Sequence, residues 1–378
     1  MATFKNTFSW SASRDRLFRS CHRAYYYNYY GYWNGWDYKA DERTRLIYKL
    51  KKLQSTTLWA GSTVHDILED TLKMYRTVAT GASEPERMEI YYQLKNLQNL
   101  HYSETCEYTD ERKKEADEEN LAFAHAMEQV KNEQPPSLEF PLLRGIARLK
   151  LRRGFKESLS QKKRPDYKKL YLYEHFYGEG IDKEKARKIT EKIYTALQAF
   201  AQSEQIKAML QVPAGNWKSI DELNSYHLKK LFTKIDDHET YYYNDIKIWC
   251  AIDFAYVDHN QELWIIDWKT GKENKKELQN QLASYAIFAQ QEWGFPLEKI
   301  HLCGVYLNEN GRVSHYPLSV EQIMNCKENI AQSCRNMLNL LENQAENQAL
   351  EANFIASPDS FKCRYCNFKK VCPDAILK

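Results

Sequence analysis

The second half of the chain alternates short apolar runs with helical stretches, and this order restricts the fold more than any other feature of the sequence. After Thr240, four runs rich in β-branched and aromatic residues read IKIWCAIDFAYV, ELWIIDWK, KIHLCGVYLN and RVSHYPL. Their lengths and their bounding turn residues predict β-strands. Helices are predicted from Lys275 to Trp293 and from about Val320 to Glu346. The order β-β-α-β-β-α predicts an α/β fold with a mixed sheet flanked by helices.

The first half of the chain has a helical character instead. The pattern WAGSTVHDILEDTLKMY predicts an amphipathic helix from Leu58 to Tyr75, with His65 beside its apolar face. Residues 84–134 are rich in Glu and Lys, and helical periodicity returns from 181 to 210. Residues 150–169 carry nine basic and two acidic side chains, which predicts a basic, mobile loop.

These changes in pattern divide the chain into four parts. We expect an N-terminal helical part at 1–80, a helical insertion at 81–235, an α/β core at 236–347 and a cysteine-bearing segment at 348–378. The boundaries follow the shift from helical to strand periodicity near residue 236.

Composition excludes several classes of protein. The formal net charge is only +3, so a nucleic-acid site has to come from local clusters of Lys and Arg. The chain contains neither an apolar run long enough to span a membrane nor the apolar stretch of a signal peptide, which predicts a cytoplasmic protein. A phosphate loop of the G-x-x-x-x-G-K-[ST] type is also missing, so the sequence does not encode an ATP-driven motor.

Two carboxylates and one lysine fall where adjacent strands would bring them together. Asp253 lies in the first predicted strand, and Asp267 and Lys269 close the second. Hard oxygen ligands hold Mg²⁺ or Mn²⁺, and an ammonium group suits the charge that develops on a phosphodiester during hydrolysis. The Asp and Lys of an isolated D-x-K triplet are more often ordinary solvated residues than members of an active site. Here it follows a buried apolar strand, where an unpaired carboxylate is unfavourable.

Four ordered motifs, GSTVHDILE, AIDFAYV, IIDWKTGK and QNQLASY, resemble those of RecB-like exonucleases in the PD-(D/E)XK superfamily. Members of that family often have Gly where Ala251 stands here. The resemblance implies a restriction-endonuclease-like core with six site residues. By it, the metal ligands are His65, Asp253 and Asp267, the catalytic lysine is Lys269, and the residues near the DNA are Gln281 and Tyr285.

Four of the nine cysteines have the spacing of a ligand set. Cys363, Cys366 and Cys372 form C-x2-C-x5-C, and Cys21 lies far upstream. An iron–sulfur subgroup of the same family, including AddB-type and CRISPR-associated exonucleases, resembles this layout, which implies a [4Fe–4S] cluster that joins the two ends of the chain. A Cys₄ zinc site is the alternative. The remaining cysteines are expected to pack as small, buried hydrophobic residues: Cys106, Cys250, Cys303, Cys326 and Cys334.

The expected function is a metal-dependent DNA nuclease, an exonuclease on single-stranded or frayed ends. Six tyrosines between Tyr25 and Tyr32 offer either stacking surfaces for bases or packing around the cluster. The rival functions are a non-catalytic DNA-binding subunit and a site- or structure-specific endonuclease. The resemblance also implies a helicase, CRISPR or defence protein as partner.

Overall fold

The structure is a computed structural model that describes residues 5–105, 110–161, 166, 168–220 and 239–376. Part of the predicted basic loop, including Lys162, Lys163 and Arg164, lies outside these ranges, as does Cys106. None of the helices in the described ranges is both long and apolar enough to cross a bilayer.

The N-terminal part is a short strand followed by helices that begin at side-chain caps. The Ser11 hydroxyl accepts a hydrogen bond from Arg14 N, and the Ser55 hydroxyl accepts one from Leu58 N. The elements are β1 (Ser9–Trp10), α1 (Ala12–Ser20), α2 (His22–Tyr26), a π-helical turn (Tyr27–Gly31), α3 (Glu42–Lys51) and α4 (Thr56–Ala79). Helix α4 includes the whole of the predicted amphipathic helix.

The middle of the chain is mostly helical, and it ends in a strand. Its elements are α5 (Glu84–Thr105), α6 (Asp110–Lys131), α7 (Phe140–Ser160), α8 (Tyr173–Tyr177), α9 (Lys183–Gln202), α10 (Glu204–Leu210) and β2 (Trp217–Ile220). The prediction of a mobile loop is wrong for residues 150–160, which complete α7. Leu151 and Ser158 are buried there, and a Cβ at Gly154 would overlap the Trp59 ring, so the helix is anchored by close packing.

The C-terminal part contains the predicted strands with two changes. The run IKIWCAIDFAYV forms two strands that belong to different sheets, and the helix that begins at Val320 ends at Leu338 instead of Glu346. The elements are β3 (Thr240–Tyr243), β4 (Ile246–Trp249), β5 (Phe254–Val257), β6 (Leu263–Lys269), α11 (Lys275–Glu292), β7 (Ile300–Tyr306), β8 (Arg312–Tyr316), α12 (Val320–Leu338), β9 (Leu341–Asn343), β10 (Gln348–Ala349) and α13 (Ser360–Arg364).

The largest sheet has the order β2-β5-β6-β7-β8. Strands β6 and β7 are parallel and joined through α11, and the other neighbours are antiparallel. This mixed sheet with flanking helices confirms the predicted α/β class. Its edge strand β2 comes from the 81–235 range that the sequence assigns to an insertion. A smaller sheet has the order β1-β4-β3, and β9 pairs with β10.

Each face of the large sheet is covered by its own apolar core. On β6, Ile266 and Trp268 pack with residues of α4, α7 and α9. Ile265, on the opposite face, packs with residues of α11 and α12. Because side chains alternate along a strand, Asp267 lies on the face that α11 covers.

Candidate active site

The register of β5 and β6 brings two carboxylates together. Phe254 pairs with Ile266 in this antiparallel ladder, so position 253 lies opposite position 267 just beyond the end of β5. Both side chains are buried, with 8% of Asp253 and 1% of Asp267 exposed. Asp253 Oδ2 accepts a hydrogen bond of 2.7 Å from the backbone N–H of Trp268, which fixes one carboxylate to the neighbouring strand.

Helix α4 brings an imidazole to the same place. His65 Nδ1 lies 3.2 Å from Asp253 Oδ1, and the ring is partly exposed. One turn earlier, Gly61 lies against the residue that follows β6. A Cβ at Gly61 would be 3.2 Å from Thr270 Oγ1, so the absence of a side chain lets α4 approach the strand end closely.

Lys269 forms an ion pair with Asp267 Oδ2 at the end of β6. Burial, and then the charge of Asp253, raise the pKa of Asp267 to about 6. For Lys269, burial opposes the charged form, but the carboxylates of Asp267 and Asp253 outweigh it and raise the lysine pKa. The ammonium group therefore stays protonated at neutral pH and compensates part of the repulsion between the carboxylates.

Helix α11 holds Asp267 from its other side. Gln281 Nε2 donates to Asp267 Oδ1 at 3.0 Å and to the Tyr285 hydroxyl at 2.7 Å. That hydroxyl donates in turn to the carbonyl oxygen of Ala251 at 2.5 Å. Tyr285 is 4% exposed, and burial followed by the charges of the two carboxylates raises its pKa. Gln281 thus contacts Asp267 directly from within the protein, and Tyr285 supports it through Gln281.

The donor set suits a divalent metal ion. Oδ2 of Asp267 is a buried oxygen that accepts no hydrogen bond of normal geometry from the described residues. Two carboxylates and an imidazole are ligands that Mg²⁺ and Mn²⁺ accept, and the raised pKa of Asp267 reflects negative charge that a cation would compensate. As the side chains stand, no three His, Cys, Asp or Glu in the described ranges are arranged to hold an ion.

Three charged residues around the site have contacts that the sequence pattern did not indicate. Arg16 on α1 forms an ion pair of 3.1 Å with Glu277, and its positive charge acts on Lys269. Glu239 accepts a hydrogen bond from the Ile252 backbone at 3.1 Å, beside Asp253. These contacts join segments that are far apart in the chain, and single-sequence periodicity carries no signal for them.

The four cysteines of the predicted cluster line one pocket. Cys21 comes from the junction of α1 and α2, and Cys363, Cys366 and Cys372 come from α13 and the residues after it. The backbone N–H of Ser357 donates to Cys21 Sγ at 3.5 Å. Burial raises the pKa of Cys366 to about 11, against the hydrogen bond from the Phe368 N–H and with support from the charges of the other three cysteines as thiolates.

The tyrosine-rich segment is divided between core and surface. Tyr25, Tyr27 and Tyr30 are buried, with exposed fractions of 0%, 0% and 8%. The Tyr27 hydroxyl donates to Glu351 at 2.7 Å, close to the cysteine pocket. These three rings therefore have a packing role, whereas Tyr29 and Tyr32 remain partly exposed.

Comparison with known proteins gives one match. A family model described as the PD-(D/E)XK nuclease superfamily matches residues 9–373, which is nearly the whole chain. A search of curated proteins finds no match.

Proposed function

The chain belongs to the PD-(D/E)XK nuclease superfamily, which implies a metal-dependent nuclease that uses Mg²⁺ or Mn²⁺, and on this premise we propose an exonuclease that degrades single-stranded or frayed DNA ends. The proposal rests on the proximity of Asp253, Asp267 and Lys269 at one end of the central sheet. Metal-supported hydrolysis of a phosphodiester needs this combination of charges.

Each site residue has a distinct task in this proposal. Asp253, Asp267 and His65 would hold the metal ion, which supplies an activated water and stabilises charge on the phosphate. Lys269 acts as a fixed cation near the scissile phosphate rather than as a general base, because its raised pKa keeps it protonated. Gln281 and Tyr285 are positioning residues, since Gln281 donates a hydrogen bond to Asp267 and Tyr285 orients Gln281.

Cleavage of labelled DNA tests the activity and its mode together. The protein is incubated with linear and with circular single-stranded DNA, and with a duplex, in the presence of Mg²⁺ or Mn²⁺. An exonuclease shortens the linear strands progressively and leaves the circles intact, whereas cleaved circles would establish an endonuclease. Lys269→Gln should abolish cleavage. Lys272→Gln, which changes an exposed lysine three residues further on, is the matched control.

We further propose that the cysteine pocket holds a [4Fe–4S] cluster and ties α1 and α2 to the C-terminal segment. The support is the convergence of four thiols on one pocket and the N–H groups that point at Cys21 and Cys366 sulfur. Such thiols persist in a reducing compartment, which suits a cytoplasmic protein. Anaerobically purified protein should be brown and contain iron. A colourless protein with one zinc ion would establish the zinc alternative.

Partner proteins follow from the substrate. An enzyme that degrades single strands depends on a process that exposes them, and the chain itself carries no phosphate loop. We therefore propose a helicase or a CRISPR or defence protein as its partner. Co-purification of such a protein from the native host would test this.

A further inference from the structure

Four aromatic side chains form a connected surface where the tyrosine-rich segment meets α3. They are Tyr32, Trp33, Trp36 and Tyr48, which we call the aromatic platform. Neighbouring ring centroids lie 5.2 to 6.4 Å apart. Trp36 is 45% exposed, and the other three rings are half-buried. The platform therefore presents apolar ring surface to solvent, while Tyr32 also packs against the small core between α2 and α3.

A close backbone approach holds this surface in place. Gly35 lies between the two tryptophans and packs directly on α3. A Cβ at Gly35 would be 2.6 Å from the carbonyl oxygen of Thr44 and from Tyr48 Cβ. Only glycine permits that approach, so the loop and the helix present the rings as one rigid surface.

Two lysines border the platform. Lys51 Nζ lies 3.4 Å from the centroid of Tyr32, and Lys52 Nζ lies 5.6 Å from that of Tyr48. Among the described residues, neither ammonium group forms an ion pair with a carboxylate. Burial, followed by the charges of Lys52 and Arg14, lowers the pKa of Lys51 to about 7. A partly buried cation without a counter-ion is unfavourable unless an anion binds beside it.

Two arginines of α1, Arg14 and Arg16, extend the positive charge from the platform towards the active site. Arg14 is 5% exposed, lies 4.1 Å from the centroid of Tyr29 and bonds to the Ser9 and Tyr25 hydroxyls rather than to a carboxylate. On the same helix, Arg16 forms an ion pair of 3.1 Å with Glu277 on α11, one turn before Gln281. The Tyr29 ring centroid also lies 5.7 Å from Lys51 Nζ, so this ring connects the lysines beside the platform with Arg14 on α1.

We propose that the aromatic platform, with Lys51 and Lys52, binds a single-stranded segment of the DNA substrate beside the active site. Bases stack on the exposed rings, and backbone phosphates pair with the ammonium groups. A duplex fits this surface poorly, because its base faces are already stacked on one another. The inference rests on the proposed nuclease function and adds the place where the single strand is held.

Binding measurements on the full-length protein test the platform. Fluorescence anisotropy gives the Kd for a labelled oligothymidylate and for a hairpin duplex, in buffer without added divalent ions so that the DNA stays intact. Trp36→Ala, at an exposed position, should raise the Kd for the single strand about fivefold or more, from the loss of one stacked base. Tyr92→Ala, which removes an exposed ring from α5, should leave it unchanged.

Salt titration tests the cations. Lys51→Gln and Lys52→Gln should each reduce the slope of log affinity against log salt by about 0.7, which is the value for one phosphate contact on a single strand. Lys188→Gln on α9 is the control, since that lysine is exposed and already paired with Glu184. Because Lys52 is exposed, its variant tests the idea even if replacement of Lys51 disturbs folding.

Two results would overturn the inference. One is a single-strand Kd within twofold of wild type for both Trp36→Ala and Lys52→Gln. The other is an equal loss of affinity for the duplex. The nuclease proposal is tested separately, by cleavage with wild-type protein at saturating DNA. Wild-type protein that binds through the platform and cleaves nothing would refute the nuclease and leave the platform standing. If wild-type protein cleaves DNA and both variants bind it with unaltered affinity, the nuclease proposal stands and the platform is refuted.

Discussion

Replacing Lys51 by methionine should stabilise the protein at neutral pH while weakening its binding to single-stranded DNA. The pKa of Lys51 is lowered from 10.5 to about 7, first by burial and then by the charges of Lys52 and Arg14. Methionine keeps a flexible apolar chain of similar length without the charge. The substitution therefore removes an unfavourable cation and retains the packing against Tyr32.

The magnitude follows from the pKa shift. Because the folded-state pKa lies below the unfolded one, the penalty on the folded state is complete below about pH 7 and disappears as the pH rises past 10.5. At about 1.36 kcal/mol per pKa unit, it amounts to about 4 kcal/mol at pH 7 and about 1.4 kcal/mol near pH 9.5. The Tyr32 ring offsets about 1–2 kcal/mol by favouring the ammonium group. We expect a net gain of about 2–3 kcal/mol at pH 7.

Urea denaturation of wild type and Lys51→Met at the two pH values measures this gain. Lys188→Met is the control, since Lys188 is exposed on α9 and its replacement should alter the free energy of unfolding little at either pH. A gain at pH 7 that shrinks near pH 9.5 supports the reasoning. No gain at pH 7, or one of equal size at both pH values, would refute the view that Lys51 is held as an uncompensated cation.

Three further outcomes are expected at the active site and the cysteine pocket. Asp267→Ala should reduce cleavage by at least about a hundredfold without unfolding the protein, because the carboxylate acts on charge at the phosphate; retained cleavage would remove Asp267 from the site. Activity with Mn²⁺ should at least equal that with Mg²⁺, since an imidazole ligand suits manganese; strict magnesium preference would argue against His65 as a ligand. Cys21→Ala should yield colourless, poorly soluble and inactive protein, because the cluster links the two ends of the chain. A disulfide that closes a loop of this length contributes ~4–5 kcal/mol to the free energy of unfolding. Cys334→Ala, which removes a buried thiol on α12, should keep the colour.

The elements that sequence predicted well are those whose periodicity is local. Val64, Leu68 and Leu72 repeat with helical spacing, and all three are buried on α4. Strands β6 and β7 are continuous apolar runs because both faces of the sheet are covered. Asp267 and Lys269 are recognisable because they end such a run. The roles of these two residues remain predictions that the cleavage assays above would test.

The errors arose where distant contacts override the local pattern. The run from Ile246 to Val257 breaks in two because Glu239 binds the backbone of Cys250 and Ile252 between the halves. The helix predicted to reach Glu346 stops at Leu338, and the chain turns back as β9 and β10. Asn347 sits in that turn in a left-handed conformation, held by Tyr30 and Asn6 from the opposite end of the chain. No window of neighbouring residues contains these partners.

The π-helical turn at Tyr27–Gly31 determines which aromatic rings face the core and which face solvent. A π-turn holds one residue more than an α-turn, so it takes up an extra residue without shifting the residues that follow it around the helix axis. If the same residues followed an α-helical path instead, those after the turn would be out of phase by one position, a rotation of roughly 100°. Tyr30 would then leave its contact with Phe354, and Tyr32 would leave its contact with Lys51. The extra residue that the π-turn accommodates therefore lets Tyr25, Tyr27 and Tyr30 all remain in the core while Tyr32 reaches the surface.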